Sequence, residues 1–205
     1  AAGSAAVDLG ALAADIFAAG QNTVLTMPPI PEVDACILNL PASSLSGPAG
    51  AAALTFETGV GSITLPGNML SGMPGIGGKE AGVTIARADI SGLSGEVREA
   101  VGSRPVIRLA LTLNGAQTEW NNPDAPVTVA IPYQPTAAEL HNPESIVVWY
   151  IDGSGNPVCV TNGRYDAATG TVVFTVTHFS LYAVGCNKVS FGDVAASAWY
   201  YRPVG

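Results

Sequence analysis

His178-Phe179-Ser180 is the stretch of this 205-residue chain whose side chains could do chemistry with least help from elsewhere. In an uninterrupted strand His178 and Ser180 project to one face with Phe179 opposite, so the imidazole could take a proton from the serine hydroxyl. The activated oxygen could then attack the Phe179 carbonyl, turning the Phe179–Ser180 amide into an ester that water hydrolyses, provided the peptide is strained out of planarity. A planar, hydrogen-bonded amide offers no such opening, and the plain alternative is a pair of strand residues with satisfied polar atoms.

Other chemistries find less to work with. His141 is the other of only two histidines and sits in Leu140-His141-Asn142-Pro143-Glu144, which reads as an exposed turn. No G-x-S-x-G elbow, H-E-x-x-H pair, Walker loop or G-x-G-x-x-G fingerprint is present. Glycosidase chemistry needs two facing carboxylates, and none of the 16 acidic residues is singled out for it. Asp152, Ser154 and Asn156 alternate like the start of a calcium loop, but with one carboxylate and no later bidentate glutamate they read as a glycine-containing hairpin turn. The three cysteines allow one disulfide, and no Cys-x-x-Cys pair exists to hold zinc. Cys159 and Cys186 fall in segments that could be neighbouring strands and would form the bridge, leaving Cys36 as a small buried hydrophobe; three reduced thiols are the alternative. These patterns imply no metal and no cofactor. Trp120 and Trp149 could be exposed carbohydrate platforms or core, and Trp149, flanked by Val147, Val148 and Ile151, reads as core.

Such side chains need elements to hold them, and composition says which kind. The chain is 48% hydrophobic and only 12% charged, with Lys79 and Lys188 its sole lysines. A net charge of −8 repels nucleic-acid phosphate and anionic lipid, which removes both as partners. No apolar run approaches the ~18 residues of a membrane span. With 24 glycines and 15 prolines distributed between apolar runs, the chain reads as many short strands and turns.

Along the sequence, Val7 to Ala19 places Val7, Leu12, Ile16 and Phe17 near one helical face, so residues 1–22 read as a helical or extended leader, or connector, without the basic start of a signal peptide. Pro28-Pro29-Ile30-Pro31 marks entry into the folded body. Ala53–Phe56 and Ser62–Leu65, joined by Thr58-Gly59-Val60-Gly61, form a hairpin pattern. The clearest alternation is in Val106–Leu113, with Ile107, Leu109, Leu111 and Leu113 on one face, followed by the tight-turn dipeptide Asn114-Gly115. Further strands at 126–132, 145–152, 158–160 and 172–174, separated by turn-forming stretches, make the second half an antiparallel meander. The expected fold is an all-β antiparallel sandwich in two halves: a body over 23–189 with a possible sub-boundary near 91–105, and a tail over 190–205. That tail concentrates Phe191, Trp199, Tyr200 and Tyr201 in a stretch too short to bury them alone, so they are expected to contact a partner surface.

Thr175-Val176-Thr177-His178-Phe179-Ser180-Leu181-Tyr182-Ala183-Val184, preceded by Tyr165-Asp166 and Thr169-Gly170, resembles the closing strands of modules found beside S-layer homology domains in surface proteins of Gram-positive bacteria. The likeness extends through 127–133 and 147–152, and more loosely through 61–70. The same strands resemble ZU5-type and GAIN-type sandwich modules, some of which cut themselves between the second and third residues of a His-hydrophobic-Ser/Thr motif. That resemblance would make His178 the base, Ser180 the nucleophile and Phe179 the residue whose carbonyl is attacked. Phe191-Gly192-Asp193-Val194 with Ala198-Trp199-Tyr200 resembles the opening of an S-layer homology domain, a domain that binds cell-wall polysaccharide; the likeness stops at Gly205 and Arg202-Pro203 departs from it. The resemblance implies a secreted, cell-surface, non-enzymatic structural module whose partners are neighbouring surface-protein domains or copies of itself, with wall polysaccharide bound only through an anchor domain beyond this sequence. Two further expectations stand beside it. One is an extracellular filament subunit that polymerises through its terminal segments, and the other is a self-cleaving domain cutting at Phe179–Ser180.

Overall fold

The computed structural model describes residues 3–18, 20–50 and 52–187. Fourteen strands in this part of the chain pack as two sheets, an all-β sandwich. In spatial order the first sheet runs β1 (Gly3–Asp8), β3 (Val33–Pro41), β6 (Glu80–Arg87), β7 (Val106–Leu113), β14 (Leu181–Cys186), β10 (Ile146–Ile151) and β11 (Pro157–Val160), with β8 (Ala116–Thr118) paired to β7 off this path. The second runs β12 (Arg164–Asp166), β13 (Thr171–Val176), β9 (Val127–Pro132), β5 (Ser62–Pro66), β4 (Ala53–Glu57) and β2 (Thr23–Thr26). Three α-helices among the described residues decorate them: α1 (Leu12–Ala18), α2 (Gly95–Val101) and α3 (Ala137–His141).

Each half of the chain gives strands to both sheets. The halves meet at the β6–β7 pair in the first sheet and at the β5–β9 pair in the second. One continuous core lies between the sheets and takes in Leu38, Phe56, Ile63, Ile85, Leu111, Val129, Phe174 and Tyr182, all buried. The alternation of β7 behaves as its sequence predicts: Ile107, Leu109, Leu111 and Leu113 all enter that core. Asn114 and Gly115 follow with φ of 49° and 79°, the left-handed pair a two-residue hairpin loop demands, and bring Ala116 opposite Leu113.

A smaller apolar cluster covers the outer face of the first sheet. Ser94 caps α2 by accepting the Val97 N–H, and Val97 and Val101 then pack with Val106, Ile151 and Ala183, with Trp149 and Leu181 at the margin. The region 91–105 therefore carries a helix over the sheet where the two halves meet. Trp149 is half-buried against Gly185, where a Cβ would lie 2.6–2.8 Å from three atoms of the indole ring. Gly185→Ala is expected to lower stability by about 1–3 kcal/mol through overpacking, read as a fall in melting temperature together with a changed near-ultraviolet tryptophan signal.

Two expectations are corrected here. The stretch 7–19 is not one helix: Val7 lies in β1, and only Leu12–Ala18 is helical. β1 pairs in parallel with β3, and β2 pairs in parallel with β4, while every other strand pair among the described residues is antiparallel. The segment read as a leader, 1–22, thus lays β1 on the edge of the first sheet, and α1, with Ala13 fully buried, leads on to β2 at the edge of the second. Nor is the second half a meander. After the β7–β8 hairpin the chain crosses to the second sheet for β9, to the first for β10 and β11, back for β12 and β13, and again for β14, so past β8 only the β10–β11 and β12–β13 neighbours are hairpins. Phe191, Trp199, Tyr200 and Tyr201 lie outside the described residues.

Candidate functional site

The first sheet forks at β7. On one side β7 pairs with β6 along its whole length. On the other side its first residues, Val106–Arg108, take β14, and its last, Leu111–Leu113, take β8. The fork is stitched at three points: Leu109 N–H donates to the Ser180 carbonyl at 2.9 Å, Asn122 N–H donates to the Thr177 carbonyl at 2.8 Å, and Asn121 forms an isolated bridge with His178. A cleft of about 400 Å³ opens between the diverging strands and reaches the end of β10. Among its lining residues are Gln117, Glu119, Asn121, Tyr150, Asp152 and His178.

Trp120 and Phe179 form the inner part of this cleft, their rings 4.6 Å apart and tilted by 48°. Trp120 is 3% exposed and donates its indole N–H to the Met69 carbonyl at 2.8 Å. Neither tryptophan is an exposed platform: Trp120 is core, and Trp149 lies under α2 on the other face of the sheet.

His178 and Ser180 line the same cleft, yet no hydrogen bond joins them. Ser180 Oγ donates to the Ile151 carbonyl at 3.0 Å. The Tyr182 hydroxyl donates to the His178 carbonyl at 2.6 Å and lies 2.8 Å from His178 Nδ1. Having one proton to give, that hydroxyl accepts from Nδ1–H, which assigns the proton to Nδ1. Burial pushes the Tyr182 phenol well above its ordinary range, with the neighbouring Tyr150 acting in the same direction, so this donor stays protonated. The Phe179–Ser180 peptide is trans, and neither residue has a positive φ. The motif ties the start of β14 to the end of β10 through the Ile151 carbonyl and packs Phe179 on Trp120.

Asp152 caps its own turn. Its Oδ1 accepts the N–H groups of Ser154 and Asn156 at 2.8 and 2.9 Å. The Asn156 N–H above all holds its carboxyl below the usual range. The stretch is the glycine-containing hairpin turn between β10 and β11 that its sequence suggested. His141 is an exposed histidine at the end of α3, with Nδ1 2.8 Å from the Ala137 carbonyl.

The Cys159–Cys186 bridge is overturned. All three cysteines are free, because β11 and β14 are not neighbours but flank β10. Cys159 stands opposite Trp149 and Cys186 opposite Ile146, two strand spacings and three residues apart, far outside the reach of a disulfide. Cys36 is buried, as its apolar setting suggested, and desolvation pushes its thiol up.

One polar centre was missed by sequence reasoning. Glu139, 3% exposed, receives Arg104 through Nε and Nη2 at 3.1 and 2.8 Å, the Tyr133 hydroxyl at 2.9 Å, and the Thr136 N–H and hydroxyl at 2.8 and 2.9 Å. Burial alone would raise its carboxyl, but the Thr136 N–H, Arg104, Tyr133 and the Thr136 hydroxyl outweigh that and bring it down to about 2. Thr136-x-x-Glu139 is a capping box, and that local pattern was the available signal; the arginine arriving from the α2–β7 turn had none.

No protein-family model matches the chain, and no solved structure matches it. Among curated proteins it is similar to the amylopullulanase of Thermoanaerobacterium thermosulfurigenes, with 33% identity over 70 residues. The matched stretch is 33% of this chain and 4% of that much longer protein.

Proposed function

We propose that the chain is a non-enzymatic structural module of a secreted bacterial cell-surface protein. The observation that carries this reading is the use made of its most reactive side chains: His178 and the Ser180 hydroxyl are both committed to holding β14 in place, so the motif serves the sandwich. The likeness of residues 175–184 to modules beside S-layer homology domains supports the surface location. A match confined to 4% of a long polypeptide fits a module used inside larger proteins. The neighbouring domains of such a protein, or further copies of the chain, are its partners in this reading. The stability comes from a continuous two-sided core and not from surface ion pairs, which suits mechanical display.

The test is the intact mass of purified protein after prolonged incubation, together with assays of turnover on glycan and peptide substrates. The expected result is a single uncut species, unchanged by Ser180→Ala, and no product. Fragments ending at Phe179 and starting at Ser180, absent in Ser180→Ala, would establish the self-cleaving domain instead, and turnover of a substrate would overturn the non-enzymatic reading.

A second reading, a filament subunit polymerising through its terminal segments, is favoured by one observation: the N-terminal segment adds β1 in parallel to the edge of the first sheet, and β1 has no fully buried residue. Exchange of such a segment between copies is a low-cost route to assembly. Electron microscopy of the full chain separates the two, with discrete particles expected for the module and filaments for the subunit.

A further inference from the structure

We propose that the cleft at the fork of β7 binds a neutral oligosaccharide. The cleft, about 400 Å³, is of the size that takes small polar ligands. Its walls are built by strand alternation. From Gln117 to Asn121 the chain alternates outward and inward: Gln117, Glu119 and Asn121 are exposed, Thr118 is half-buried and Trp120 is buried. Across the cleft Tyr150 and Asp152 flank the buried Ile151, and the Tyr150 ring stands edge-on to His178 at 4.8 Å.

The chemistry of this lining selects the ligand. Carboxylates and primary amides offer planar pairs of acceptors and donors that match neighbouring hydroxyl groups, and a half-exposed tyrosine offers an apolar face with a polar tip. Glu119 and Asp152 line the cleft, no lysine or arginine does, and the whole chain carries −8, so phosphate, sulfate and uronate groups are repelled. A peptide adding as a β-strand finds no free edge on β7 here, because β8, β14 and the Leu109–Ser180 bond already occupy it. Of the anionic, strand-like and hydroxyl-rich ligands, the uncharged hydroxyl-rich one fits this lining of carboxylates, amides and a tyrosine face. Asp152 is set in place before any ligand arrives, since Ser154 and Asn156 fix one of its oxygens, and Trp120 is pinned by its bond to Met69.

The test is titration of the full chain with maltotriose, cellotriose and chitotriose in turn, followed by nuclear magnetic resonance of the Trp120 indole N–H and the Gln117 and Asn121 side-chain amides. A saturable shift of these three signals with at least one sugar is expected, at a dissociation constant in the range of about 0.1 to 5 mM. Tyr150→Ala and Asn121→Ala should each weaken it roughly tenfold or more, while the melting temperature identifies any variant that has simply lost its fold. Glu119→Gln tests the wall without altering shape and should weaken binding by a smaller factor. No saturable shift with any of the three sugars at about 20 mM would overturn the proposal, as would saturable binding that Tyr150→Ala and Asn121→Ala leave unchanged, or tighter binding of a sulfated oligosaccharide. These outcomes do not depend on whether the chain cleaves itself or polymerises.

Discussion

Glu139→Gln is expected to lower the stability of the folded chain by about 3 kcal/mol, a fall in melting temperature of roughly 6–12 °C for a domain of this size. The carboxylate is 3% exposed and accepts from Arg104, Tyr133 and Thr136. An amide in its place turns one acceptor into a donor that faces other donors, and it leaves a partly buried guanidinium without its counter-charge. Arg104 sits in the turn between α2 and β7, and Tyr133 follows β9, so this one carboxylate ties the junction of the two halves to the second sheet. A double-mutant cycle with Arg104→Ala and Glu139→Ala should return a coupling well above the value for an exposed pair, because the acid is desolvated.

The same group sets an acid limit, and the sign follows from the direction of its shift. The folded state holds Glu139 at about 2 against an ordinary value of 4.5, so the unfolded chain binds the proton first. Its contribution is complete above pH 4.5 and is lost as pH falls toward 2. Denaturant midpoints measured between those limits should fall more steeply for the wild type than for Glu139→Gln, and the two curves should converge at the acid end. Parallel curves throughout would show that Glu139 titrates like an exposed acid.

What was legible in the sequence was what the sequence decides locally. Alternation in 106–113 placed four residues in the core, and Asn114-Gly115 needed only its own left-handed backbone to close the β7–β8 hairpin. The β4–β5 hairpin was likewise written in its turn residues. Sheet membership was not, because no local pattern tells a strand whether its neighbour in sequence is also its neighbour in space. That is why the second half read as a meander, and why Cys159 and Cys186 seemed close when β10 separates their strands. The cleft escaped for the same reason. His178 was visible as a reactive type, but Gln117, Glu119 and Asn121 join it only because β7 divides its free edge between β8 and β14. Alanine-rich sequence hid β1 too: small side chains give little periodic contrast, and its place comes from pairing with β3.

That N-terminal segment carries the second large effect. Removing residues 1–21 is expected to destabilise the chain by about 5 kcal/mol or more and to make it self-associate. Leu9 and Ala13 are buried, and Ile16 and Phe17 pack on the core, so deletion exposes apolar surface between the sheets as well as above them. It also strips β3 of the six-residue partner β1, leaving a nine-residue strand as a bare edge. Beyond its ladder with β3 the segment is tied by Leu9 N–H to the Asn39 carbonyl at 2.9 Å, and Gly10 and Gly20 bracket α1 with φ of 48° and 67°. These left-handed positions let the chain leave one sheet and enter the other, and the same positions could act as hinges if the segment were exchanged. A synthetic peptide of residues 1–21 added to the shortened chain should therefore rebuild the edge, restoring the melting temperature and dispersing the aggregate. Recovery by the peptide would show that the segment can act from outside the chain, the property a polymerising subunit requires. A shortened chain that stays monomeric and melts like the full one would show that β1 and α1 contribute neither to the core nor to the protection of β3.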